Sequence, residues 1–154
     1  MGCDIHCNVE YRRSYNKEYE DIDLYKRNRY FGEEDREEFI KVDIYQGRCY
    51  LLFGILAGVR NHEVNPISTP RGIPADCCGN TCKEYYMYES DYHHPSWYTL
   101  SELKEAQNEY QEECLQEFIE SIEKRFIDVI NYGWSKKLTP EEERNIRVIF
   151  WFDN

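Results

Sequence analysis

The chain lacks any run of 18 apolar residues, and its mean hydropathy is -0.83, which excludes a membrane-spanning helix. Positive charge is scarce: 19 Lys and Arg face 30 Asp and Glu, a formal net charge of -11. That balance excludes a broad grip on duplex nucleic acid through its phosphates, although it leaves room for a local basic pocket. Residues 1–13 carry Asp4, Glu10, Arg12 and Arg13 in place of an apolar core, so the sequence predicts no export signal. There is no internal repeat. There is also no Walker phosphate loop, Rossmann glycine pattern, paired-histidine protease helix or serine elbow, so those cofactor and catalytic classes lose their usual signatures. No cofactor is expected.

Cysteine is not scarce, but it lacks the pattern of a disulfide framework. Seven is an odd number, and without an export signal the expectation is reduced thiols. On that reading, replacing Cys77 and Cys82 with Ser leaves stability nearly unchanged. The spacing of Cys77, Cys78, Cys82, His93 and His94 does not match the common two-pair zinc signature. The opening Met1-Gly2-Cys3 resembles a lipidation start, but His6 stands where myristoylation wants Ser or Thr.

The 154 residues suit one domain, 1–154, and 16% aromatics are too many for a disordered acidic chain. Residues 5–12 alternate, with Ile5, Cys7, Val9 and Tyr11 on one face and His6, Asn8, Glu10 and Arg12 on the other, which predicts a half-buried strand. Residues 14–38 have no clean period and read as a variable excursion, with Glu33 to Glu38 as a solvated charge run. Residues 48–60 predict a buried helix. Residues 61–98 read as a structured, motif-rich loop region, with Pro66, Pro70, Gly72, Pro74 and Gly79 punctuating its first part. Residues 99–132 carry an apolar stripe at steps of three and four behind a Thr99–Glu102 capping box, as one long amphipathic helix or two broken near Glu112. A turn or short helix begins at Pro140, and Ile146–Phe152 predicts a terminal strand. The expected fold is α+β: a small sheet including both terminal strands, packed against a buried helix (about 48–60) and a long amphipathic helix (about 99–132).

Three constellations carry chemistry. Strand alternation puts Asp4, His6, Asn8 and Glu10 on one face, about 7 Å apart, where an Asp-x-His pair holds a metal, orients an imidazole or binds hydroxyls; the bland alternative is a solvated outer face. Cys3 and His6 fall on opposite faces of a flat strand, which disfavours a nucleophile–base dyad. Arg60, at a helix C-terminus, and Arg71, in Pro70-Arg71-Gly72, offer two forked guanidiniums for phosphate or carboxylate; the alternative is an internal salt bridge to Asp76, Asp4 or Asp91. Asp91, His93, His94, Ser96 and Trp97 offer metal ligands, a polar handle and a stacking surface beside Tyr98; Trp97 packing on the first turn of the following helix is the structural alternative.

Four segments together resemble a known family. They are Met1-Gly2-Cys3-Asp4-Ile5-His6, then Leu52-Phe53-Gly54-Ile55-Leu56-Ala57-Gly58-Val59-Arg60-Asn61, then Pro66 to Asp76 with its Pro70-Arg71-Gly72 turn, and Asp91-Tyr92-His93-His94-Pro95-Ser96-Trp97. With the ending Arg147, Phe152, Asp153 and Asn154, they are similar to a family of small phage and bacterial proteins that open with this hexapeptide and mostly carry no assigned function. The resemblance covers about residues 1–12, 44–103 and 146–154. Cys7, Cys77, Cys78, Cys82 and His94 depart from the family pattern. The phage setting implies a cytoplasmic protein of the bacterial host cell, and a homo-oligomer, that captures a nucleotide-derived immune signal such as a cyclic nucleotide or cyclic ADP-ribose-like compound. The expected ligand-binding residues are Asp4, His6, Arg60, Asn61, Arg71, Asp76, His93, Ser96 and Trp97. The alternative is a phosphodiesterase using Asp4, His6, Asp91 and His93 as acid, base or metal ligands. A third reading is a protein-interaction module using the long acidic helix.

Overall fold

The computed structural model describes residues 2–34, 36–134 and 137–154. Met1 of the opening hexapeptide and Asp35 of the charge run lie outside the described residues. The chain forms β1 (Asp4–Tyr11), β2 (Glu20–Asp21), β3 (Leu24–Arg27), β4 (Phe39–Val42), α1 (Tyr50–Ala57), α2 (Gly79–Met87), β5 (Tyr92–Thr99), α3 (Leu100–Tyr110), α4 (Glu113–Val129), α5 (Pro140–Asn145) and β6 (Ile146–Asp153). The main sheet is antiparallel in the order β2-β1-β6-β5, and β3 pairs with β4 in a separate ribbon. The α+β fold with both terminal strands in one sheet is therefore present, and the terminal strands are neighbours: Asp4 faces Asp153 and Tyr11 faces Ile146.

Register divides the sheet into two faces. Ile5, Cys7 and Val9 lie opposite Phe152, Phe150 and Val148, and Tyr98 lies opposite Val148 from the other side. This face packs on α1, α3 and α4 through Phe53, Leu56, Leu103, Phe118, Ile122 and Phe126, all fully buried. The other face carries His6, Asn8 and Glu10 opposite Trp151, Ile149 and Arg147, with Trp97 and Tyr92 from β5. It is not a solvated outer face. Asn8 and Glu10 are fully buried, because α2 and the β3–β4 ribbon lie across them. A strand covered on both sides has no polar row in water, which is why seven of the eight residues of β6 are buried.

Local chemistry explains the elements. In α1 the left-handed Gly58 ends the helix as an αL cap, its N–H donating to Gly54 O, and Val59 N–H reaches back to Phe53 O. Gly54 lets the following loop dock: a Cβ there would lie 2.8 Å from a Val64 methyl and 2.9 Å from Asn61 O. The stripe over 99–132 is two helices, broken where Gln111 turns left-handed (φ 52°) at the end of α3. Both Thr99 and Thr139 make complete capping boxes, with Glu102 and Glu142.

Three expectations need correction. The variable excursion contains β2 and β3. The loop region 61–98 contains α2 and β5. The strand signal of β5 is broken by a register shift between His93 and Ser96, where Pro95 sits and His94 takes φ 51°. Its outer edge is covered by the preceding loop, through Gly72 N–H to Pro95 O and Arg71 N–H to Ser96 Oγ. Finally, Cys77 and Cys82 are not free thiols but are joined in a disulfide.

Candidate functional site

The second face of the sheet builds the site. Along its row, the Glu10 carboxylate accepts from Arg147 Nη2 at 2.7 Å and Nε at 2.9 Å, both side chains being buried. The other Glu10 oxygen accepts from Cys78 N–H at 2.8 Å and Thr81 Oγ1 at 2.9 Å, so a strand carboxylate caps α2. Arg147 also reaches Asp76 at 2.9 Å and lies 3.5 Å from the centre of the Tyr19 ring. Toward the ribbon, Lys41 of β4 donates to Cys7 O at 2.7 Å, to Asn8 Oδ1 and to Glu84 at 3.3 Å. Asp23 sits beneath it, bonded to Arg125 at 3.1 Å and to Val9 N–H at 3.2 Å. Burial pushes the Asp23 carboxyl up to about 8, against the pull of Lys41.

Between α2, the ribbon and this face lies a cleft of about 480 Å³. Tyr25 and Phe39 wall it from the ribbon, Met87 and Tyr88 from α2 and its end, and Tyr92 and Trp151 from the sheet. Lys41, Lys83 and His6 supply cationic or donor groups, with Glu37, Asp43 and Glu84 as acceptors and Asn80 as both. Tyr25, Phe39, Met87 and Tyr88 are 47%, 54%, 57% and 56% exposed, so these apolar groups stand in water rather than in the core. His6 sits at the mouth, its Nε2 2.7 Å from Asp153 Oδ2 and its ring flanked by Tyr92 and Trp151.

The residues expected from sequence fall into separate groups. Asp4, His6, Arg60, Asp91 and His93 gather where β1 begins and β6 ends. Asp4 and Asp91 line a second hollow with Arg48, Asp153 and Asn154. Asp4 is bidentate to Arg48, which holds its carboxyl below the ordinary value. Arg60 and His93 both reach Asn154 Oδ1, at 3.1 and 3.3 Å. Among the described residues no three His, Cys, Asp or Glu come together to hold a metal, so Asp4, His6, Asp91 and His93 do not form the ligand set of the phosphodiesterase alternative. Cys3 is buried on the face opposite His6.

The second group is a structural tie. Arg71 forks onto Glu102, donates to Trp97 O at 3.2 Å, and stacks over Trp97 and Tyr98. Ser96 is buried and accepts from Arg71 N–H, and Tyr98 donates to Leu56 O at 3.1 Å. Trp97 therefore has guanidinium neighbours already, Arg71 at 4.8 Å and Arg147 at 5.8 Å. Asp76 belongs to Arg147, and Asn61 turns its own loop by accepting from Glu63 N–H. Arg71 is thus ion-paired with Glu102, while the exposed Arg60 donates one hydrogen bond to Asn154 Oδ1.

Sequence reasoning missed Lys41, Lys83, Tyr25, Phe39, Met87, Tyr88 and Trp151. The legible signal was Phe39-Ile40-Lys41-Val42 after a charge run, an alternating segment long enough for a strand. No helix among the described residues is long and apolar enough to cross a membrane. Comparison of the chain with protein-family models, with curated proteins and with solved structures returns no match in any of the three.

Proposed function

We propose that this protein binds a small nucleotide-derived compound in the aromatic cleft between α2, the β3–β4 ribbon and the sheet, and holds it without turnover. The observation that carries the reading is the set of half-exposed rings, Tyr25, Phe39 and Tyr88, beside the polar groups of Lys41, His6 and Glu84. Rings left in water beside one another are the usual platform for a flat heterocycle, with polar groups to fix its orientation. Two lysines, Lys41 and Lys83, face three carboxylates, Glu37, Asp43 and Glu84, so the cleft has no excess of positive charge. It suits base and ribose recognition with few phosphates rather than a polyanion. The phage resemblance supports placing such capture in the removal of a host immune signal.

The test is to incubate the protein with cyclic dinucleotides, cyclic oligonucleotides and cyclic ADP-ribose isomers, filter, heat the protein and analyse both fractions. The expected result is one compound retained and returned intact. Replacing Phe39 and Tyr88 together with Ala weakens retention at least about tenfold, since each lost stack is worth roughly 1–3 kcal/mol. If every compound stays in the filtrate, the nucleotide reading fails. A second reading, hydrolysis, is favoured by one observation: the His6–Asp153 pair at the mouth has the orientation-holding carboxylate of an acid–base histidine. Return of a new species from wild type, but not from His6→Asn, selects it.

A further inference from the structure

We propose that the Cys77–Cys82 bond is a thiol-exchange site, and that its reduction by a low-molecular-weight thiol frees the first turn of α2 and opens the wall of the cleft. The gating half rests on the cleft being the binding site; the exchange half does not.

The argument starts from how poorly α2 holds itself. It opens Gly79-Asn80-Thr81, three weak helix formers. Its N-cap, Cys78, makes no side-chain cap bond, its first turn has no acidic residue, and only Thr81 is buried. The disulfide joins Cys77, just before the cap, to Cys82, four positions into the helix, with Cα atoms 6.1 Å apart. Those two positions are the ones a hydrophobic staple would occupy, so the bond is a covalent staple on the entry of the helix. The other fastenings at this end are hydrogen bonds: the Glu10 carboxylate on Cys78 N–H and Thr81 Oγ1, Asn8 Nδ2 on Thr81 Oγ1 at 3.4 Å, and Asn80 Nδ2 on Asp21 at 2.9 Å. Within and beyond the staple, α2 supplies Asn80, Lys83, Glu84 and Met87 to the cleft. A change in its first turn is therefore a change in the cleft wall.

The bond is reachable. Cys77 is half-buried and lines a hollow of about 390 Å³ with Tyr19, Asp76 and Cys78. The nearest free thiol, Cys78, is no internal competitor: burial pushes its pKa up, so it stays a thiol, and its Sγ rests 3.5 Å from Thr81 Oγ1. Cys3 and Cys7 are buried on the other face of the sheet. Exchange then runs with an external reductant. A thiolate of a dithiol attacks one sulfur and the S–S bond breaks. A mixed disulfide forms, and the second thiol of the reductant resolves it. Two electrons and two protons pass to the protein, and the reductant leaves as its cyclic disulfide. Oxidised glutathione reverses the step, leaving as two reduced molecules.

The experiment is hydrogen exchange by mass spectrometry on the wild-type chain, oxidised and after dithiothreitol, with binding of a cyclic di-adenosine dinucleotide measured in both states. Reduction is expected to lower protection over 79–87 at least about tenfold, the scale of a lost short-loop crosslink, while β1 and β6 keep theirs. Cys78→Ser responds to dithiothreitol as wild type does. The double variant Cys77→Ser/Cys82→Ser starts loose and does not respond. Unchanged protection over 79–87, or an equal loss across the whole chain, overturns the proposal. Looser α2 with equal dinucleotide binding in both states overturns the gating. Looser α2 with no dinucleotide bound in either state upholds the exchange site and strikes that dinucleotide from the panel, and the nucleotide reading falls when the rest of the panel also stays unbound.

Discussion

Glu10 shows what a single residue can hide in a sequence. Its place in the alternation of β1 was legible, and so was the company of His6 and Asn8. Its burial was not, because the layer that covers it comes from residues 78–81, more than sixty positions away. A buried carboxylate that pairs Arg147 and caps a helix is costly to remove. Glu10→Ala strands Arg147, which is 2% exposed, and is expected to destabilise by about 3 kcal/mol or more in urea unfolding. A loss below about 1 kcal/mol would mean that Asp76 alone satisfies the guanidinium. Gly54 makes the complementary point. The segment from Leu52 to Asn61 is one of the four that carry the family resemblance, yet its geometry is a helix terminus with a loop pressed on its last turn. Gly54→Ala is expected to cost about 1–3 kcal/mol, because Asn61 backbone must move from 2.9 Å. Unchanged stability would show that the loop shifts freely. Arg71 meets Glu102 and Trp97 O, and Arg60 meets Asn154 Oδ1; no sequence pattern reveals which oxygen a fork will meet.

At the scale of elements, the helices with strong internal signals were legible and the ones held from outside were not. The Thr99 and Thr139 boxes and the apolar stripe of α4 announce themselves. α2 has no such signal, since its fastening is a disulfide and a distant carboxylate, and β5 is interrupted by a bulge. The loop over β5 is tied to α3 by Arg71 on Glu102. Burial works to raise the Glu102 pKa, and the Arg71 guanidinium and Thr99 amide outweigh it, so the carboxyl lies below its ordinary 4.5. A group depressed in the folded state contributes stability that is present above its unfolded pKa and lost as the pH falls through the folded one. The unfolding free energy of wild type minus that of Glu102→Gln is therefore expected to be largest above about pH 5 and to shrink toward pH 3. A difference that stays flat or grows in acid would show that the tie is not ionic.

At the scale of the whole molecule, the central strand pair is made from the two ends of the chain. β1 and β6 cannot pair until everything between them is gathered, so the sheet depends on the longest loop the chain can close. The same register places Asp4 opposite Asp153, so the two ends lie side by side as the open end of a hairpin. Joining Asn154 to Gly2 through a short Asn-Gly turn and opening the chain between Gln111 and Glu112, where α3 gives way to α4, converts that pairing into a local one. On the logarithmic loop law, shortening a closure from about 150 residues to about 4 recovers roughly 3 kcal/mol of entropy. Part of that is returned, because α3 and α4 now meet across the chain. The permuted protein is expected to keep the far-ultraviolet spectrum and the disulfide of the parent, and to refold several-fold faster in stopped-flow dilution from urea. Refolding at the parental rate would place the formation of the β1–β6 pair after the rate-limiting step. The helical layer on α1, α3 and α4 would then be the nucleus on which the sheet condenses.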